Sequence, residues 1–152
     1  MLFRSLSRLI GDPKLVCDTS ISQADNQQFC EKTGNNQAIH LDEKAAQEKN
    51  FETFVINGLL ISSLVKTGAS QWLQTLVGED FSIAEVSNKE EQQTQALYPE
   101  QRFTAFSRIK GVEQQDDQTL VTMEHTAWLE GEEVFLTVGE QVFSLKNNSK
   151  SE

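Results

Sequence analysis

Histidine is the side chain best suited to moving protons near neutral pH, and the chain contains two, His40 and His125. His40 lies between Gly34 and Asp42 in a polar segment that is predicted to be a loop, and loops carry functional residues more often than cores do. His125 alternates with apolar residues, a pattern typical of a hydrogen-bonded core or interface residue in a strand. His40 is therefore the candidate for chemistry.

The residues around His40 follow a family pattern. The residues that match this pattern are Phe29, Gly34, Ile39, His40, Asp42 and Ala45 or Ala46. This stretch resembles the hydratase signature of MaoC-like proteins, the (R)-specific enoyl-CoA hydratases, which read Gly-Asp-x-Asn-Pro-(Ile/Leu)-His. Asn35, Gln37 and Ala38 stand where the signature has Asp, Asn and Pro. The histidine is kept and the acidic residue is changed.

A second stretch resembles the same family, at the family's spacing. Residues 51–63 are similar to the run that ends in His-Gly-Met-(Leu)-x-x-Ser at the start of the central helix, with Asn57 at the histidine position and Gly58 and Ser62 kept. The resemblance implies a hotdog fold of class α+β, in which a curved antiparallel sheet wraps around a long central helix. It also implies a homodimer with a continuous sheet and acyl-thioester sites at the subunit interface.

In this family an aspartate and a histidine move protons as water adds across the double bond of an enoyl thioester, and a helix N-terminal amide supports the thioester oxygen. The resemblance implies His40 as catalytic acid/base, with Asn35 positioning water or substrate. It implies a substrate-binding set of Gly34, Asn57, Gly58 and Ser62. Asn57 and Ser62 are equally well explained as a helix cap and a small packing residue. A carboxamide cannot accept a proton in the working pH range, so Asn35 weakens the proton relay that the family's aspartate and histidine form.

Three functions stay open because of this change. The leading one is an (R)-specific enoyl-CoA hydratase or 3-hydroxyacyl-thioester dehydratase, with the Gly58 amide as oxyanion donor. A different class of enzyme is a hotdog thioesterase that hydrolyses an acyl thioester with His40 and a positioned water. The third is a non-catalytic subunit that binds acyl thioesters or a partner. A rescue by Asp42 or Glu43 is disfavoured, because Asp42 is predicted to cap the next helical turn.

The composition limits the classes of binding partner that the protein is expected to have. A net charge of -10 over 152 residues disfavours nucleic acid and anionic membranes. No run of about 18 apolar residues is present, so no membrane span is expected. Cys17 and Cys30 match no metal motif and are interpreted as free thiols in a reducing compartment, so a cytoplasmic protein without metal or cofactor is expected.

The chain is predicted to form a leader helix in residues 1–13, a hotdog domain in 14–146 and a polar tail in 147–152. Apolar spacing predicts the central helix from Gly58 to Val77. Ser22, Gly34 and Asp42 are predicted helix caps. Strands are predicted from Lys14 to Thr19, Arg102 to Val112, Thr119 to Leu129 and Glu132 to Leu145, with a turn at Glu130-Gly131 and a bulge at Gly139. Ser87 to Gln95 is interpreted as a solvated connection or polar edge strand.

Overall fold

The fold is taken from a computed structural model that describes residues 2–89, 91–130 and 133–148. The helices are α1 (Leu2–Ser7), α2 (Gln23–Thr33), α3 (Ala38–Leu41), α4 (Glu43–Glu48) and α5 (Gly58–Val77). The strands are β1 (Lys14–Thr19), β2 (Phe81–Asn88), β3 (Glu91–Gln93), β4 (Phe103–Gln115), β5 (Gln118–Leu129) and β6 (Glu133–Asn147). Predictions that concern Met1, Glu90, Gly131, Glu132 and residues 149–152 lie outside the described residues, and the division of the chain at 13 and 146 stays a prediction.

The strands form one antiparallel, strongly curled sheet in the order β1-β4-β5-β6-β2, and β3 also pairs with β6. The predicted meander of β4, β5 and β6 is confirmed, and β4 runs further than predicted, to a turn at Asp116 and Asp117. The end of β2, at Ser87 and Asn88, and the short edge strand β3, from Glu91 to Gln93, cover five of the nine residues from Ser87 to Gln95. The polar edge strand is therefore the correct interpretation of that segment.

Helix α5 has the predicted bounds and packs against the concave face of the sheet. Its buried apolar residues recur every four positions, at Ile61, Val65, Ala69, Leu73 and Val77. The inward residues of β5 meet this stripe, since Val121, Met123 and Ala127 are fully buried. Burial of each large aliphatic side chain contributes about 1.5–3 kcal/mol, so this contact stabilises the fold.

A bulge in β6 shapes the sheet beside the N-terminal half of α5. Met123 pairs with Gln141 and His125 with Val138, so β6 carries one extra residue between these pairs, at Gly139 and Glu140. The bulge predicted at Gly139 is confirmed, and Glu140 takes the left-handed φ of 39°. Along the edge of β6 that β5 does not use, β3 pairs before the bulge, at Leu136 to Val138, and β2 pairs after it, at Gln141 to Asn147. The bulge thereby brings β3 to the start of α5.

The predicted caps are present, but the predicted loop around His40 is not a loop. Ser22 accepts a hydrogen bond from the Asp25 amide, and Gly34 ends α2 at a φ of 73°. Residues Ala38–Leu41 form the helical turn α3, so His40 lies in a helix and is buried. The backbone explains the difference, because the Asp42 amide bonds the Ala38 oxygen and closes the turn.

The described residues contain no helix that is both long and apolar enough to span a membrane. Cys17 and Cys30 are free, as predicted.

Candidate functional site

Side chains from α3, the start of α5 and strand β3 line one cavity of about 410 Å³. Its lining consists of Asn35, Gln37, Ile39, His40, Val55, Ile56, Asn57, Gly58, Leu59, Glu91, Gln93 and Leu136. Four of the residues that the sequence singled out therefore meet here: Asn35, His40, Asn57 and Gly58. Gly34 and Ser62 lie outside this lining.

His40 has a fixed orientation at the cavity wall. Its Nδ1 lies 2.7 Å from the backbone oxygen of Val55, and a carbonyl oxygen can only accept, so Nδ1 carries a proton and donates it. Among the described residues, every fully buried side-chain nitrogen or oxygen has a hydrogen-bond partner. Nε2 of His40 has no partner among these residues, so it is not fully buried and is accessible. Nε2 is the ring nitrogen that remains available to a bound molecule.

Asn26 links the three segments that build the site, a role that was not predicted from the sequence. It is fully buried in α2, and its side-chain nitrogen donates to the oxygens of His40 at 3.3 Å and Val55 at 3.1 Å. Its side-chain oxygen accepts from the Asn57 amide at 2.8 Å. Gln23 adds a bond to the His40 oxygen at 2.7 Å. An asparagine inside a helix has no local pattern that would reveal such a role.

Helix α5 begins at the cavity with a built cap. The Asn57 side chain accepts from the Leu59 amide at 2.9 Å, and its nitrogen lies 3.5 Å from the Cys30 sulfur. Asn57 is 2 % exposed, so the helix-cap interpretation describes what its side chain does. Gly58 supplies the first amide of the helix, which no intrahelical bond uses, at the positive end of the helix dipole.

Two side chains of β3 face this helix end, and the sequence reading missed both as site residues. A Cβ added to Gly58 would lie 2.7 Å from Oε1 of Gln93, whose nitrogen donates to the Gln95 oxygen at 2.9 Å. Glu91 forms an ion pair with Lys66 of α5 at 2.5 Å. β3 reaches the start of α5 because it pairs with β6 next to the bulge. Only the tertiary fold reveals this position.

The other predicted site residues have these positions. Asn35 is half-buried, and its side chain forms no hydrogen bond with the described part of the chain. Gly34 is the C-cap of α2 and is exposed. Ser62 is buried, donates to the Leu59 oxygen at 3.3 Å and lines a neighbouring groove of about 450 Å³ together with Lys66, among others.

His125 is a core residue, as predicted. Its ring nitrogens lie 2.7 Å from the Ser107 hydroxyl and 2.8 Å from Oε1 of Gln141. Gln141 in turn donates to Glu85 at 2.9 Å. Burial lowers the pKa of His125 below its usual range, because the charged form would lose its hydration. This histidine is a structural group and does not line the cavity.

Comparisons with known proteins agree with this geometry. The family model described as MaoC like domain matches residues 7–128. No curated protein matches the chain. Among solved structures, the chain is similar to a monoamine oxidase regulatory protein from Archaeoglobus fulgius, with TM-score 0.76, 15% identity, and coverage of 91% of this chain and 90% of that one.

Two further solved structures share the fold. The (R)-hydratase from A. caviae involved in PHA biosynthesis superposes with TM-score 0.71 and 18% identity over 88% of this chain and 94% of that one. The C-terminally truncated HadBC (3R-hydroxyacyl-ACP dehydratase) complex from Mycobacterium tuberculosis gives TM-score 0.74 and 11% identity over 90% and 96%.

A curled antiparallel sheet around a long helix, with these neighbours, defines a hotdog fold. The chain belongs to the MaoC-like dehydratase domain family. The resemblance and the fold expected from the sequence are both confirmed.

Proposed function

We propose that this protein is an (R)-specific enoyl-thioester hydratase, or the 3-hydroxyacyl-thioester dehydratase that runs the same reaction in reverse. One observation carries the proposal: His40 is fixed through Nδ1 to the Val55 oxygen, so that Nε2 is the accessible nitrogen in a cavity that also contains the start of α5. The (R)-hydratase and (3R)-dehydratase among its structural neighbours support the same reaction class.

Hydration bonds the water oxygen to the β-carbon and moves one of the water's protons to the α-carbon. Nε2 of His40 is the acid/base group of this transfer. The electrons of the double bond move meanwhile onto the thioester oxygen. The Gly58 amide is the donor that meets this charge, because it is unused by the helix and lies at its positive end.

Asn35 is the group that positions water or substrate. Its carboxamide lines the cavity and is not occupied by another described residue, so it is available to hold a ligand. Ser62 and Gly34 lie outside the cavity lining and would contribute through the neighbouring groove and through the end of α2 respectively. An acidic protein disfavours docking of an acidic carrier protein, so coenzyme A is the proposed thioester carrier.

The proposed assembly is a homodimer joined through β2. This strand pairs with β6 on one side and is the last strand of the sheet path on the other. Its Val86 is 59% exposed, the highest value among the large apolar side chains of the described residues. Pairing two copies along β2 would cover Val86 and continue the sheet.

The test uses crotonyl-CoA, with the loss of conjugated enoyl absorbance and the release of free thiol followed in parallel. Loss of absorbance without thiol is the expected result. Thiol release would support a thioesterase instead. No reaction, together with a higher melting temperature in the presence of acyl-CoA, would support the non-catalytic subunit.

A further inference from the structure

We propose that Glu91, on β3, is the carboxylate of the proton relay. It accepts a proton from water, which the carboxamide of Asn35 cannot do. The inference rests on the proposed hydratase function and adds to it a catalytic group from outside the signature stretch. The observation behind it is that the fold brings Glu91 to the same cavity as His40 and Asn35.

Glu91 is the acidic residue in the cavity lining, among the residues that the structure describes. The carboxylates nearer to His40 in the sequence are engaged elsewhere. Asp42 caps α4 by accepting from the Lys44 and Ala45 amides, and Glu43 accepts from the Gln47 side chain at 3.4 Å. Neither of these two acidic residues lines the cavity, so Glu91 is the carboxylate available to a bound thioester.

Its ion pair with Lys66 orients Glu91. The two side chains are 22% and 26% exposed, whereas the pair formed by Lys89 and Glu140 is 71% and 42% exposed. Lys66 contacts Oε1, and Oε2 has no partner within the described residues. One carboxylate oxygen is thus held by α5 while the other stays available to a water molecule. Lys66 also lines the neighbouring groove, so the pair stands between the two spaces.

The proton transfers balance with Glu91 and His40 acting as a pair. The water oxygen bonds to the β-carbon as the Glu91 carboxylate takes one water proton, and the π electrons move to the thioester oxygen as an enolate. The enolate electrons then form a bond between the α-carbon and a proton given by Nε2 of protonated His40. Transfer of the proton from Glu91 to His40 restores both groups, and the net change is the addition of one water.

The experiment compares crotonyl-CoA hydration by the wild type, Glu91→Gln and Glu91→Asp, with Glu140→Gln as the matched control at an exposed ion pair. Glu91→Gln is expected to lose about 10²–10⁴-fold in kcat, the usual cost of a missing proton-transfer group. Glu91→Asp is expected to retain more activity than the Gln variant, and Glu140→Gln to equal the wild type. Melting temperatures establish that the variants are folded.

A second background separates loss of chemistry from loss of structure. Introducing Asn35→Asp into Glu91→Gln returns a carboxylate to the cavity and is expected to recover most of the lost rate. Glu91→Gln as active as the wild type would overturn the role of Glu91 while leaving the hydratase function standing. Equal losses in the Gln and Asp variants without recovery by Asn35→Asp would also overturn it. A wild type that hydrates nothing would overturn the function and this role together.

Discussion

Nδ1 of His40 lies 2.7 Å from the backbone oxygen of Val55, and that oxygen also accepts a hydrogen bond from Asn26 at 3.1 Å. The imidazole and the segment before α5 are therefore held by the same buried group. Because Asn26 also binds the Asn57 amide, the orientation of His40 and the start of α5 depend on one side chain.

Asn26→Ala is expected to lower both stability and activity. The Asn57 amide loses its partner, and a buried group left without a hydrogen bond costs about 1–3 kcal/mol. The His40 and Val55 oxygens each lose one of two bonds and keep those from Gln23 and from Nδ1 of His40. Urea unfolding measures the change. Asn36→Ala, at an exposed position between α2 and α3, is the control and should unfold like the wild type. An Asn26→Ala protein as stable as that control would disprove the linking role.

Gly58→Ala is expected to reduce kcat/KM toward the 10²–10³-fold that losing an oxyanion donor costs. The new Cβ would lie 2.7 Å from Oε1 of Gln93 and in the path of the thioester. Adding Gln93→Ala removes the contact with the Gln93 side chain but should not restore activity, because the methyl group still blocks the helix amide. Gly111→Ala is the control, since its Cβ meets no atom within 4 Å. Full recovery of activity in the double variant would contradict the oxyanion role of this amide.

Asn35→Asp in the wild-type background is expected to change the hydration rate by far less than the ~10²–10⁴-fold typical of a proton-transfer group. Glu91 already supplies a carboxylate to the cavity, so a second one adds little. Steady-state rates with crotonyl-CoA measure this. A wild type without activity beside an active Asp variant would show instead that the site is intact but lacks its base.

Stability is expected to fall as the pH is lowered below about 6.5, the ordinary histidine value. Burial lowers the pKa of His125 in the folded protein, so in this range the unfolded chain binds a proton that the folded chain does not. Stability from this residue is thus present at neutral pH and lost toward acid. His125→Gln should unfold with a smaller change in midpoint between pH 7 and pH 5.5. An unchanged pH dependence in that variant would contradict the role of His125.

Val86→Lys is expected to shift the protein from dimer to monomer, because it places a charge on the edge of β2. Sedimentation velocity measures the distribution. Leu15→Lys is the matched control, since Leu15 is 47% exposed on β1, the strand at the other end of the sheet path. A dimer that persists in Val86→Lys and dissociates in Leu15→Lys would place the interface at the opposite edge.

Features determined by local sequence were predictable. Apolar spacing and a terminal glycine determine α5 from Gly58 to Val77, and the caps Ser22 and Asp42 lie next to the helices that they begin. The family signature likewise identified His40. Its placement in a loop was wrong because the Asp42 amide bonds the Ala38 oxygen and closes the helical turn α3. The Val55 amide adds a bond to the Ile39 oxygen from outside the segment.

The remainder of the site depends on contacts between segments that are distant in the chain. Asn26 and Asn57 are 31 positions apart, so no spacing rule connects them. Glu91 and Gln93 lie in a polar stretch whose composition is typical of solvated surface. They reach α5 only because β3 pairs with β6 next to the bulge. Such residues become visible only when the register of the sheet is known.

The most direct measurement is the rate of crotonyl-CoA hydration by the wild type and by His40→Gln, followed by loss of enoyl absorbance. We expect the wild type to hydrate the substrate and His40→Gln to lose about 10²–10⁴-fold in kcat while remaining folded. A wild type without hydration, or a His40→Gln variant as fast as the wild type, would contradict the assignment of His40 as the acid/base of this site.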